Sequence, residues 1–136
     1  MIKFLFSVKT WLRIVIGLLY LGLVALLSLL PNSRLPNIPF ITGQDKVVHI
    51  TMYLGMAFLA CWSVNLRDRR QPSTFLMLAG VFAWGVLMEI LQHLMGIGRG
   101  MEYLDMLANL VGATAGLLGY LYVNRLRNLA IRRIEE

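Results

Sequence analysis

The chain has 136 residues, room for a single domain, and 58% of them are apolar while only 15% are charged. A soluble domain carries about a quarter charged residues, so the composition excludes an ordinary soluble enzyme and points to an integral membrane protein. The net charge of +6 does not mark a nucleic-acid binder, because the basic residues stand in short segments between apolar runs, which is how membrane topology is written.

Four apolar runs reach the roughly 17–25 residues that a helix needs to cross the hydrocarbon core. The first, 11–30, is closed by Pro31-Asn32, a turn signal. It is too long for the apolar part of a secretory signal, and Ser28-Leu29-Leu30-Pro31 offers no small-x-small cleavage site, so it is read as a retained helix. The second run, 47–66, ends at Arg67-Asp68-Arg69-Arg70, and the third, 74–95, stops at Gly96-Ile97-Gly98-Arg99-Gly100. The fourth, 104–123, gives way to a basic tail, 124–136, that can continue as a helix along the inner leaflet. No run alternates as a strand does, so the expected fold is an all-α four-transmembrane-helix bundle forming one domain over 1–136. The proline-rich connection from Pro31 to Gln44 is expected to cap it. Cys61, the single cysteine, is read as a packing residue.

Orientation follows from lysine and arginine. Lys3, Lys9, Arg13, Arg67, Arg69, Arg70, Arg125, Arg127, Arg132 and Arg133 fall on one side, against Arg34, Lys46 and Arg99 on the other. Both termini are therefore expected in the cytoplasm, with Trp11, Trp62, Tyr120 and Tyr122 near the inner interface.

With that orientation, polar residues from three helices reach one depth, the outer third of the membrane. Asp45, His49 and Tyr53 recur every four residues and share a helix face with Lys46 beside them. Glu89 and Gln92 share a face near the end of the third helix, where His93 lies at its edge and is expected at the interface. Asp105, Asn109, Gly112 and Gly116 form one stripe on the fourth, with Ala108, Ala115 and Gly119 adding small residues that let helices approach. Arg99 and Glu102 occupy the loop before it. The outer groups, three cations against four carboxylates, are nearly balanced, whereas a polyphosphate pocket would carry surplus lysine and arginine.

Taken together, Asp45-Lys46-x-x-His49-x-x-x-Tyr53, Glu89-x-x-Gln92, Arg99 and Asp105-x-x-x-Asn109-x-x-Gly112-x-x-x-Gly116 resemble the VanZ-like family of small bacterial membrane proteins. The resemblance spans Gln44 to Tyr120, and departs from many relatives in having Gly96-Ile97-Gly98 where they carry a proline before the arginine. It implies a cell-envelope role in the bacterial cytoplasmic membrane, since the family's namesake is linked to low-level resistance to the glycopeptide teicoplanin.

Several functions remain open on these residues. In the first, Asp45, Lys46, His49, Tyr53, Glu89, Gln92, Arg99, Asp105 and Asn109 line an outward-facing pocket for an envelope lipid or lipid-linked cell-wall intermediate. Lys46 and Arg99 would hold an anionic group there. In the second, the protein is a hydrolase or transferase on such a lipid, His49 and Glu89 being its acid–base pair. In the third, the polar layer holds a small subunit in a larger envelope complex. A purely structural network is the bland alternative, although intramembrane hydrogen bonds return only about 0.6 kcal/mol each. His49, Glu89 and Asp105 would give one metal ligand from each of three helices, but the His-Glu-x-x-His zinc pattern is missing, and no metal or other cofactor is expected. Oligomeric state and the identity of the lipid are not written in the sequence.

Overall fold

A computed structural model of the chain describes residues 6–30, 44–64, 73–96 and 102–135. The 31–43 connection expected as a cap, the 65–72 connection with its arginines, and the 97–101 turn with Arg99 lie outside them. Among the described residues are four long helices and no strand: α1 (Thr10–Leu29), α2 (Gln44–Val64), α3 (Thr74–Met95) and α4 (Tyr103–Glu135). All four are long and apolar enough to cross a membrane. Away from water a helix is the one open-chain form that satisfies every backbone N–H and C=O internally.

The helix ends follow local chemistry. Leu30 leaves α1 in an extended conformation (φ −69°, ψ 131°), as a residue before proline must. Ser73 caps α3 by accepting a hydrogen bond from the Leu76 amide at 3.3 Å. Gly96 ends α3 with φ 59°, its amide donating to the His93 carbonyl. Helix α2 begins at Gln44, three residues before the apolar run. Asp45 therefore lies in its first turn, where a carboxylate complements the helix dipole. The basic tail is continuous with α4 rather than a separate surface helix. At 33 residues α4 is about 50 Å long, well beyond a hydrocarbon core of about 30 Å.

Contacts across the bundle make it antiparallel. The Arg13 guanidinium, near the start of α1, donates to the Trp62 carbonyl near the end of α2 at 3.2 Å and stands 5.9 Å from the Trp62 ring. The Ser63 hydroxyl returns a bond to the Arg13 carbonyl at 2.8 Å. At the other end the Gln92 amide of α3 donates to the Ser28 carbonyl of α1 at 2.7 Å. One end of the bundle therefore gathers the last turns of α1 and α3 with the first turns of α2 and α4. Removing the Arg13 clasp by Arg13→Met should lower unfolding stability in detergent by about 1 kcal/mol, with the helical signal below the transition unchanged. A thermal melt followed by circular dichroism checks it.

The distribution of side chains inverts that of a soluble protein. Leu18, Leu19, Phe75, Leu94, Leu104 and Leu118 are exposed, whereas Arg13, His49, Glu89, Gln92, Asp105 and Asn109 are buried. Apolar residues outside and polar ones within is the pattern of a membrane bundle. Trp62 and Tyr120 turn inward and pack with Cys61 and Leu117, so of the four rings expected at the interface only Trp11 and Tyr122 are exposed.

The α2–α4 pair is the tightest in the bundle. A Cβ added at Gly112 would strike the Ile50 backbone, 2.9 Å from its carbonyl carbon, and one at Gly116 would strike Leu54 in the same way, also at 2.9 Å. Only glycine lets these backbones touch. The Asp105–Asn109–Gly112–Gly116 stripe is thereby pressed against the face of α2 that carries His49.

Candidate functional site

The buried polar groups meet at the end of the bundle where α2 and α4 begin. His49 Nδ1 lies 2.9 Å from Asn109 Oδ1. The amide oxygen can only accept, so Nδ1 carries a hydrogen and Nε2 is the nitrogen left for another partner. Asp105 Oδ2 stands 3.9 Å from that Nε2, and Glu89 Oε1 stands 4.0 Å from Nδ1. Both separations exceed hydrogen-bond reach. Glu89 is 1% exposed, Asn109 1% and His49 6%, so the imidazole sits between two carboxylates with water almost excluded.

Above this core lies a second, wetter layer. Lys46 Nζ bonds Glu102 at 2.7 Å and lies 3.1 Å from Asp105 Oδ1, and it also pairs with Asp45. Asp105 therefore joins the layers, one oxygen towards Lys46 and the other towards His49. Lys46 is matched by three carboxylates, so it does not offer the uncommitted charge that holding an anionic group would need. Among the described residues at this end it is one lysine against Asp45, Glu89, Glu102 and Asp105. The balance of these described residues is acidic.

Tyr53, one turn below His49 on α2, is wholly buried. Its ring and the Asn109 amide both rest against Gly85 of α3, where an added Cβ would come within 3.0 Å of the Tyr53 ring and 3.1 Å of Asn109 Nδ2. Neither the Tyr53 hydroxyl nor Asn109 Nδ2 has a hydrogen-bond partner among the described residues. Gln92 lies in the same layer but spends its amide on the Ser28 carbonyl, tying α1 to the cluster. His93 is exposed on the last turn of α3.

The structure thus brings together Asp45, Lys46, His49, Tyr53, Glu89, Gln92, Asp105 and Asn109, while Arg99 lies outside the described residues. Three contributors were not among the sequence candidates. Glu102, placed in the loop by sequence, is a direct partner of Lys46. Gly85 makes room for Tyr53 and Asn109, and its signal was available as the small residue one turn before Glu89. Ser28 acts through its backbone carbonyl, which no residue type announces.

Beside the polar layer an open groove of about 660 Å³ runs between α2 and α4. Asp45 and Lys46 line its polar end, and Ile50, Leu104, Leu107 and Val111 form apolar walls. Searches against protein-family models, characterised proteins and solved structures find no match to this chain.

Proposed function

We propose that the protein binds a membrane lipid or lipid-linked cell-wall intermediate from the outer leaflet of a bacterial cytoplasmic membrane, with both of its termini in the cytoplasm. The observation that carries this reading is an apolar groove that ends at the charged Asp45–Lys46 pair, beside the buried polar layer. Chain and head of an amphiphile need those two environments side by side, and the groove between α2 and α4 has them. The acidic balance of the described residues narrows the head group. Carboxylates are acceptors, so they suit hydroxyl, amide or amine donors such as those of a sugar or peptide head group. The resemblance to VanZ-like proteins and the positive-inside arrangement of arginines support placement in the cell envelope.

Native mass spectrometry of protein purified in mild detergent tests the reading. Wild type should retain a lipid, and Val111→Trp, which fills the groove without touching the polar layer, should lower its occupancy at least tenfold. Asp105→Asn should do the same by weakening the head-group end. Wild-type protein free of lipid, or equal retention by the groove-filled variant, defeats the proposal.

A further inference from the structure

Three helices each deliver one metal-ligating side chain to a single point. His49 comes from α2, Glu89 from α3 and Asp105 from α4, and one ligand atom of each lies within 4.8 Å of the other two. We propose that these residues hold a divalent transition-metal ion, with zinc the best match to the donor set.

The donor set is the first reason. One imidazole nitrogen and two carboxylate oxygens are ligands zinc accepts, and three protein ligands leave a fourth position for an exogenous group. Facing helices of a bundle are a common place for such a site. Orientation is the second. A metal-bound histidine characteristically gives its other ring N–H to a carbonyl or carboxylate, which fixes the tautomer and aims the lone pair. Asn109 Oδ1 takes Nδ1–H of His49 at 2.9 Å, and Nε2 is left pointing at Asp105 Oδ2 across 3.9 Å.

That gap is the third reason. A ring nitrogen and a carboxylate oxygen facing each other at 3.9 Å are too far apart for a direct hydrogen bond and leave room for a cation between them. Ligands about 2.0–2.2 Å from zinc stand about 3.5 Å apart in a tetrahedral shell, so a side-chain rotation of under an ångström would close this pair onto an ion. The local charge asks for the same thing. Two buried carboxylates, Glu89 and Asp105, stand about the His49 ring, and carboxylate charge at this depth favours a bound cation. The Tyr53 hydroxyl, wholly buried, lacks a partner among the described residues and rests with Asn109 against Gly85.

The neighbouring trio of Asp45, Glu102 and Asp105 also converges, but Lys46 already bonds all three carboxylates and is their cation. In the inner trio Lys46 reaches only the Asp105 Oδ1 atom, and Asp105 Oδ2 faces His49. The assignment shares residues with the lipid-binding reading without depending on it.

The test uses the full chain, carrying an affinity tag free of histidine, stripped with chelator in detergent and titrated with zinc chloride against a chromophoric competitor. Wild type should bind one equivalent. His49→Gln, Glu89→Gln and Asp105→Asn should each weaken binding at least tenfold, while His93→Ala matches wild type. Should a variant fail to fold, zinc-edge X-ray absorption of the wild type decides alone. A nitrogen and oxygen shell at about 2.0–2.2 Å with one imidazole supports the site. Failure to bind stoichiometric zinc, a second imidazole, a sulfur ligand, or undiminished binding in all three folded variants overturns it. Lipid retention scored on the same chelator-stripped protein separates the two readings, since zinc bound by lipid-free protein sustains the metal site while the lipid proposal fails.

Discussion

Replacing Gly116 with leucine should cost the bundle about 3 kcal/mol or more, the largest effect expected of any single substitution here. The reason is the identity of the neighbour. A Cβ at Gly116 meets the backbone of Leu54, with its carbonyl carbon at 2.9 Å and its Cα at 3.0 Å, and not the tip of a side chain that could swing away. The two helices must then separate along their most extensive interface, and the separation is transmitted to the His49–Asn109 bond at 2.9 Å. Gly119→Ala, one turn on, is the matched control, because the nearest atom to its added Cβ is Phe58 Cδ2 at 3.8 Å, an ordinary contact. Denaturant unfolding in mixed micelles should separate the two clearly. A leucine variant that unfolds alongside wild type would mean that α2 and α4 do not owe their closeness to the missing side chain.

That interface also shows what could be read from the sequence. The period of four that links Asp45, His49 and Tyr53, and the spacing from Asp105 through Gly116, are direct consequences of helix geometry. They fix which residues share a face before any packing is known. Four apolar runs of spanning length fix the number of helices, and the all-α bundle follows. What spacing cannot fix is which neighbour each polar group selects. Spacing leaves Lys46 free to face an incoming anion; the fold instead pairs it with Glu102 and Asp105, one of them across 56 positions of sequence, because the α2 and α4 first turns meet at this end of the bundle. The role of α1 was hidden for another reason. Among the described residues it is tied to Gln92 of the polar layer by the Ser28 main-chain carbonyl, and a carbonyl is present at every residue. The start of α2 at Gln44 rather than at the first apolar residue is a third case, since hydropathy marks where a helix can be buried and not where its hydrogen bonds begin.

Glu89→Gln should leave the protein as stable as wild type or more so, by about 1–2 kcal/mol, even as it removes a charge from the centre of the bundle. Glu89 is 1% exposed, and a buried carboxylate costs about 2.5–3.5 kcal/mol at mid-membrane, less towards the surface. The single lysine of this layer is engaged by Asp45, Glu102 and Asp105. Glutamine keeps the size and one acceptor while deleting the charge that three other carboxylates oppose. A gain measured by thermal unfolding in detergent, together with weaker ligand or zinc binding, means that the charge is kept at a cost in stability, and such a cost is characteristic of a site that binds something. A loss exceeding about 1 kcal/mol would mean the reverse. Glu89 would then be a clasp between helices, and the case for assigning it to a ligand would lose its energetic basis.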